Sequence, residues 1–148
     1  MARAHFFLCF TSVLAVSGCM SSNVERYSPI DPAAKSITVP VGNGVLVGPI
    51  KRRLSNDGWQ LAVDSGPIRT QGRIGLDTSL ETYRSYNTRY RLLVNARQFD
   101  FCITGSAAIY YDLSLIDTKT GREVFAQSGR DCEAWAVEKF SSELNKNK

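Results

Sequence analysis

Histidine is nearly absent from this chain. The 148 residues contain one, His5, which lies in an N-terminal segment that we expect to be removed. Histidine is the commonest general base near pH 7 and a frequent zinc ligand. Without it, the rest of the chain cannot form Ser/His/Asp or Cys/His nucleophilic sites or the usual histidine-containing zinc sites. We therefore predict no catalytic residue, no bound metal and no cofactor.

The carboxylates and glycines also lack the spacing of catalytic or nucleotide-binding motifs. Asp112, Asp117 and Asp131 fall on a predicted strand, turn and helix cap, so nothing pairs two carboxylates as glycoside hydrolysis requires. Neither Asn43-Gly44 nor the glycine-rich stretch 65–75 matches a P-loop or a dinucleotide fingerprint. We predict that the protein is not an enzyme. A carboxylate-dependent hydrolase is the remaining catalytic alternative.

The N-terminal apolar segment is too short to span a membrane. Residues 6–16 are broken only by Thr and Ser, and these 11 residues compare with the roughly 20 that a transmembrane helix needs. One Arg before them and small residues after them are typical of a secretory signal, here residues 1–18. An ordinary secretory signal, with an incidental cysteine at its end, is one interpretation.

The end of this segment supports a more specific interpretation. Val16-Ser17-Gly18-Cys19 resembles the lipobox of bacterial lipoproteins, in which an aliphatic residue and two small ones precede an acylated cysteine. The resemblance implies cleavage before Cys19 and attachment of acyl chains such as palmitate to that residue. The next residue is Met20 rather than Asp, which in that family implies the periplasmic face of the outer membrane.

Export also determines how the four cysteines are interpreted. Cys9 leaves with the signal and Cys19 carries lipid, so Cys102 and Cys132 remain. An even pair in an oxidising compartment predicts one disulfide, with two buried free thiols as the alternative.

Removing 18 of the 148 residues leaves 130, enough for one domain, and 17 basic against 14 acidic residues give a net charge of +3. Export places nucleic acid out of reach of this basic domain.

The patterning predicts one domain over residues 37–145, between a flexible tether at 19–36 and a frayed tail at 146–148. The tether region is polar, contains two prolines and shows no periodicity. A first strand is predicted at 37–41. Helical spacing of apolar residues follows over 45–59, where Gly58 and Trp59 fit a Schellman closure. A strand at 60–64 comes next, and breakers at 65–79 indicate a long loop or an irregular hairpin.

The second half of the chain predicts strands at 86–95, 107–116 and 122–128 and a closing helix. The last two strands flank a turn at 117–121, and the turn's centre predicts Cys132 opposite Ser106 with Cys102 nearby. Asp131 is the predicted helix cap. In order, β, α, β, β, β, β, α, these elements predict an α/β fold, an α+β two-layer sandwich. Its mixed, mostly antiparallel sheet of about five strands carries both helices on one face.

Basic residues alternate with tyrosines in the middle of the chain. Arg84, Arg89 and Arg91 are the candidate binding surface, because mixtures of Arg and Tyr are enriched in protein interfaces. Strand periodicity turns Tyr86 and Tyr90 inward and the arginines outward. Core tyrosines beneath a solvated basic face are therefore the simpler interpretation.

The hairpin over 116–124 and its closing helix resemble the end of the small α/β domain in some envelope lipoproteins, namely the curli-secretion channel protein and the activators of penicillin-binding proteins. The resemblance covers about 40 residues and implies an assembly or protein-contact module with an envelope protein as partner. It assigns no functional residue. The predicted function is a non-catalytic, outer-membrane accessory lipoprotein, with a periplasmic glycan- or small-ligand-binding lipoprotein as the alternative.

Overall fold

The computed structural model describes residues 20–64, 68–70, 80–82 and 87–146. Within these ranges a six-stranded sheet has the order β1-β8-β7-β6-β2-β3, and a separate two-stranded sheet joins β4 to β5. The elements are β1 (Ser21–Arg26), β2 (Ser36–Pro40), α1 (Val47–Asn56), β3 (Gln60–Asp64), β4 (Ile68–Thr70), β5 (Leu80–Thr82), β6 (Tyr90–Phe101), β7 (Ala107–Asp117), β8 (Glu123–Cys132) and α2 (Glu133–Asn145). The predicted signal at 1–18, which contains Cys9, lies outside these residues. So does Cys19, the predicted site of acylation.

The predicted fold class is confirmed. β2 runs parallel to β3 and β6, the remaining pairs of the large sheet are antiparallel, and the two helices contact each other. Alternate residues of the long strands face the helices, because a strand places successive side chains on opposite faces. The buried core includes Ile37, Val39, Leu46, Ile50, Leu54, Leu92, Ile109, Leu113, Leu115, Phe125 and Phe140.

The end of α1 follows the predicted Schellman closure. Gly58 adopts φ +79°, and its N–H donates to the carbonyl of Ser55 at 3.1 Å. The N–H of Trp59 donates to the carbonyl of Leu54 at 2.9 Å. These two bonds satisfy carbonyls that the helix end would otherwise leave unpaired, and they bring the buried Trp59 back onto the core.

The register of the last hairpin differs by two residues from the predicted one. Cys132 lies opposite Ala108 rather than Ser106, and an irregularity interrupts the pairing next to Leu115. Gly121 closes the turn with φ +68°. β8 continues through Asp131 to Cys132. The prediction that Asp131 caps α2 is therefore wrong, because Cys132 occupies the N-cap position.

The region predicted as a tether contains a strand. β1 pairs antiparallel with β8 along its whole length, from Ser21 opposite Arg130 to Arg26 opposite Phe125. Only one residue of β1, Val24, is aliphatic, so backbone pairing rather than an apolar stripe holds the strand in place. That is why periodicity did not reveal it, and why the sheet has a sixth strand.

β1 and β8 lie unusually close together at Gly129. A Cβ atom at this position would come within 2.3 Å of the carbonyl oxygen of Ser21 and 2.6 Å of the Cα of Ser22. Gly129 also has φ +150°, a backbone conformation that other residues rarely adopt. Glycine is therefore needed here for the start of β1 to dock on the sheet.

A partly buried ion pair connects the other end of β1 to α2. Arg26 donates to the side-chain Oε2 of Glu143 at 3.0 Å and also to its carbonyl oxygen, while Lys146 pairs with Oε1. The carboxylate is 3% exposed. Burial by itself raises the pKa of Glu143, but the hydrogen bonds and charges of Lys146 and Arg26 outweigh it, and the pKa is lowered.

Glu143→Gln should lower the free energy of unfolding by about 2 kcal/mol near pH 7, because it weakens charged hydrogen bonds to a buried group. A lowered carboxylate pKa stabilises the fold above the ordinary value of 4.5 and loses that effect as the pH falls through the folded-state value. The difference between variant and parent in urea denaturation should therefore shrink below about pH 4.

Glu138→Gln provides the matched control. Glu138 is on the same helix, and its exposed side chain pairs with Arg53 at 3.4 Å. Exposed pairs contribute about 1 kcal/mol or less. An equal loss of stability in the two variants, or a Glu143→Gln effect that persists in acid, would show that the ion pair does not stabilise β1.

Candidate functional surface at the disulfide end

The predicted arginine surface is occupied by internal ion pairs. Arg84 lies outside the described residues. Arg89 donates to Asp117 at 2.6 Å, and Arg91 donates to Asp64 at 2.5 Å. Asp117 also accepts backbone N–H bonds within the 117–121 turn, so its pair with Arg89 supports that turn. These arginines do not converge on a common cleft.

The inward orientation predicted for Tyr90 is confirmed, whereas Tyr86 lies outside the described residues. Tyr90 is buried, and its hydroxyl accepts the backbone N–H of Asp31 at 2.8 Å. Its ring packs against Trp59 with 6.0 Å between centroids. This tyrosine belongs to the core.

A different group of arginine and aromatic side chains meets on the sheet face opposite the helices. The guanidinium of Arg130 lies 4.4 Å from the ring centre of Phe99 and 5.7 Å from that of Tyr110. Arg97 lies 4.8 Å from the Tyr110 ring, and the two rings are 4.5 Å apart. We call these four residues the Arg-aromatic cluster.

Strand register brings the cluster together. Arg97, Tyr110 and Arg130 are direct cross-strand partners on β6, β7 and β8, and such partners share a face of the sheet. Phe99 lies at a register irregularity between Gln98 and Asp100. Sequence patterning does not predict the cluster, because the predicted strand ends at residue 95. Extending the same alternation to 97 and 99 would have found two of its four members.

The disulfide lies at the same end of the sheet. Cys102 and Cys132 are joined as the sequence predicts, with their Cα atoms 6.0 Å apart. Cys102 begins a tight turn in which its N–H donates to Ser106 and its carbonyl accepts from Gly105. The bond therefore connects the β6–β7 turn to the point where β8 becomes α2.

Four exposed apolar residues adjoin the two cysteines of this disulfide, three of them in sequence and Met20 by direct contact. Phe101 and Ile103 flank Cys102 in sequence, and Trp135 lies in the first turn of α2, three residues after Cys132. The Met20 sulfur lies 3.7 Å from the Cys132 sulfur. Phe101 is 71% exposed, Trp135 is 56% exposed and Ile103 is fully exposed. We call Met20, Phe101, Ile103 and Trp135 the apolar tip.

The acidic residues weighed from the sequence do not form a reactive pair. Asp112 is exposed on the face of the Arg-aromatic cluster. Asp131 is buried opposite Ile109, a residue of the helix-facing row, and Asp117 is held by Arg89 and the turn. Over the described ranges, no group of three or more His, Cys, Asp or Glu side chains is arranged to hold a metal ion. The same ranges contain no helix long and apolar enough to cross a membrane.

The chain matches no protein-family model and no curated protein. Its fold is nevertheless similar to solved structures of the PelC dodecamer from Paraburkholderia phytofirmans. A point variant of PelC superimposes with a TM-score of 0.52 at 13% identity, over 84% of this chain and 95% of that one. A second PelC crystal form gives 0.50 at 14% identity, over 85% and 94%. At these identities the similarity shows a shared fold.

Replacing both Cys102 and Cys132 by serine should lower the free energy of unfolding by roughly 3 to 4 kcal/mol, because the bond closes a loop of about 30 residues. Urea denaturation of the parent and the double variant measures the difference. The parent denatured in reductant should match the variant. If the parent instead unfolds at the same urea concentration with and without reductant, the bond does not stabilise the disulfide end.

Proposed function

We propose that this protein is a non-catalytic lipoprotein, acylated at Cys19 and held at the periplasmic face of the outer membrane, where its domain serves as a protein-contact module of an envelope assembly. The observation that carries the proposal is the Arg-aromatic cluster on an exposed sheet face. The lipobox-like tetrapeptide before Met20 supports the anchor. The fold shared with PelC, whose solved structures are dodecamers, supports assembly with other protein chains, including copies of this one.

The geometry of the cluster favours a protein partner over a glycan. Sugars bind aromatic side chains by stacking on an open ring face, but Arg130 already covers Phe99 and Arg97 covers Tyr110. A stacked guanidinium keeps donors at its edge for carbonyl or carboxylate groups of a partner. Arginine and tyrosine are also the residue types that most often carry binding energy in protein interfaces. Glycan binding would need a sugar to stack on rings that these guanidinium groups already contact.

Nearby side chains extend this face beyond the cluster. Leu93, 44% exposed, lies two residues before Asn95 on β6, and Asp112 lies opposite Asn95 on β7. The mixture of aliphatic, aromatic, charged and amide groups resembles a protein interface, which is no more apolar than average surface but is enriched in Arg and aromatic residues. Burial of this mixed surface against another chain is the contact we propose.

Cys19→Ala should release the protein from the membrane fraction of intact cells, because acyl chains supply the membrane attachment. Fractionation of the cells, together with mass spectrometry of the N-terminal peptide, measures both location and acylation. The parent should sediment with outer membranes and carry acyl chains on Cys19. A soluble parent with an unmodified Cys19 would overturn the proposed anchor.

A photoreactive amino acid placed at Asp112 or Leu93 should give crosslinks to protein in intact cells. The same group placed at Ser55 or Ser142, exposed positions on α1 and α2, should give few. Arg97→Ala combined with Arg130→Ala should reduce the Asp112 crosslinks at least fivefold, since the double variant removes charged donors from the proposed contact.

The size of the crosslinked product distinguishes the partners. A product of twice the chain mass identifies a second copy, and any other mass identifies a different protein for sequencing. Crosslinks of equal yield from the helix positions and from Asp112, unaffected by the arginine substitutions, would overturn the assignment of the contact to this face.

A further inference from the structure

We infer that the apolar tip is inserted in the interfacial layer of the bilayer that holds the protein, so that the domain stands on the membrane on this end. The inference rests on the proposed acylation of Cys19, which it deepens by specifying how the anchored domain is oriented. Its occupant is the lipid surface itself.

One residue of the tip, Met20, directly follows the predicted anchor in sequence. Cys19 is followed directly by Met20, whose sulfur lies 3.7 Å from that of Cys132. One residue of extended chain spans about 3.5 Å. Acyl chains on Cys19 would therefore enter the bilayer near the disulfide end of the domain, separated from β1 by Met20 alone.

The connection between this point and the domain is rigid. Ser21 already pairs with Arg130, and the carbonyl and hydroxyl of Ser22 accept bonds from Lys139 of α2 at 3.1 and 2.7 Å. The backbone of Ser21 and Ser22 also lies directly against Gly129, where a Cβ atom would not fit. An anchor two residues before this strand would therefore determine which end of the domain meets the lipid.

The side chains at this end suit the membrane interface. Trp135 combines a large apolar surface with an indole N–H, the combination that concentrates tryptophan at the headgroup level of membranes. Phe101 and Ile103, on either side of Cys102, expose apolar surface to water. Transfer of that surface from water into lipid is favourable. Of the large apolar side chains that are exposed in the described residues, these three and Met20 are the ones that adjoin the two cysteines of the disulfide.

Charge at this end is close to balanced. Arg97 and Arg130 lie on the cluster side, while Asp100 and Glu133 adjoin Phe101 and Cys132 in sequence. Electrostatic attraction to anionic lipid should therefore contribute little to membrane binding. Insertion of apolar side chains should dominate, and affinity for vesicles should depend only weakly on their anionic content.

Quenching by brominated lipids tests the inference in the acylated full-length mature protein. The chain has two tryptophans, the exposed Trp135 and the buried Trp59. In phosphatidylcholine vesicles brominated near the headgroup end of the acyl chains, the native protein should lose roughly half of its fluorescence, because one of two emitters lies within reach of bromine. Trp135→Phe leaves only Trp59 and should abolish the quenching.

Vesicle binding by the unacylated chain tests the tip without the anchor. Mature protein carrying Cys19→Ser should partition onto phosphatidylcholine vesicles in sedimentation assays, and addition of one-fifth phosphatidylglycerol should change the partition coefficient by less than about twofold. Phe101→Ser and Ile103→Ser should each weaken binding by about tenfold, the loss expected when one large apolar side chain is no longer buried. Tyr27→Ser and Val41→Ser, at exposed positions elsewhere, are the matched controls.

The outcomes separate this inference from the proposed anchor. An unmodified Cys19 overturns the proposed anchor. Vesicle binding by the Cys19→Ser chain then supports insertion of the tip in lipid, and lack of binding overturns that insertion. Unquenched Trp135 in the acylated protein overturns the tip even if the anchor stands. So does concentration-dependent dimerisation of the Cys19→Ser chain that Phe101→Ser abolishes, because the tip would then contact a second copy. Equal thermal midpoints for parent and variants establish that each variant is folded.

Discussion

The arrangement of this domain depends on the junction at Cys132, where the last strand becomes the last helix. Cys132 completes the ladder with β7, caps α2, bonds covalently to Cys102 and contacts Met20. One residue thus connects the sheet, a helix, the β6–β7 turn and the start of the described chain. The backbone direction changes here from strand to helix without a loop, so any displacement would be transmitted to all four.

This constraint explains why the exposed features gather at one end. Cys102 begins a tight turn after β6, and its neighbours Phe101 and Ile103 are exposed, whereas Ala107 and Ala108 at the start of β7 are buried. Phe101 and Ile103 remain in solvent although they are as apolar as the buried Leu92 and Ile109. The Arg-aromatic cluster begins two residues from the same point, at Arg130. A covalent bond that fixes the strand ends also keeps their side chains in defined positions.

Sequence patterning recovered the elements whose structure is encoded locally. The Schellman closure at Gly58, the strand at 60–64 and the turn at Gly121 depend on a few neighbouring residues, and each was predicted close to its position. The disulfide followed from counting cysteines. β1 was missed because its order comes from backbone pairing with a strand more than 90 residues away, and Ser21 to Ser22 carry no apolar signal.

The candidate surface was harder to predict for the same reason. Arg97 and Arg130 are 33 positions apart in sequence, and they meet only because the register of two hairpins places Tyr110 between them. The predicted register was displaced by two residues, which keeps the correct face but moves each side chain to a different neighbour. Local pattern could therefore indicate which residues are exposed, but not which of them meet. Arginines chosen by proximity in sequence, Arg89 and Arg91, turned out to hold separate carboxylates.

The placement of β1 also changes what an anchored domain at this site can do. A flexible tether would let the domain sample many orientations, and any face could meet a partner. With β1 docked from Ser21 onward, an anchor at Cys19 would present the same end to the lipid in every copy. Copies that share one orientation on a surface lose less rotational freedom when they associate, because part of that freedom is already removed by attachment. A docked β1 would thus favour the lateral association that we propose for the sheet face with the Arg-aromatic cluster.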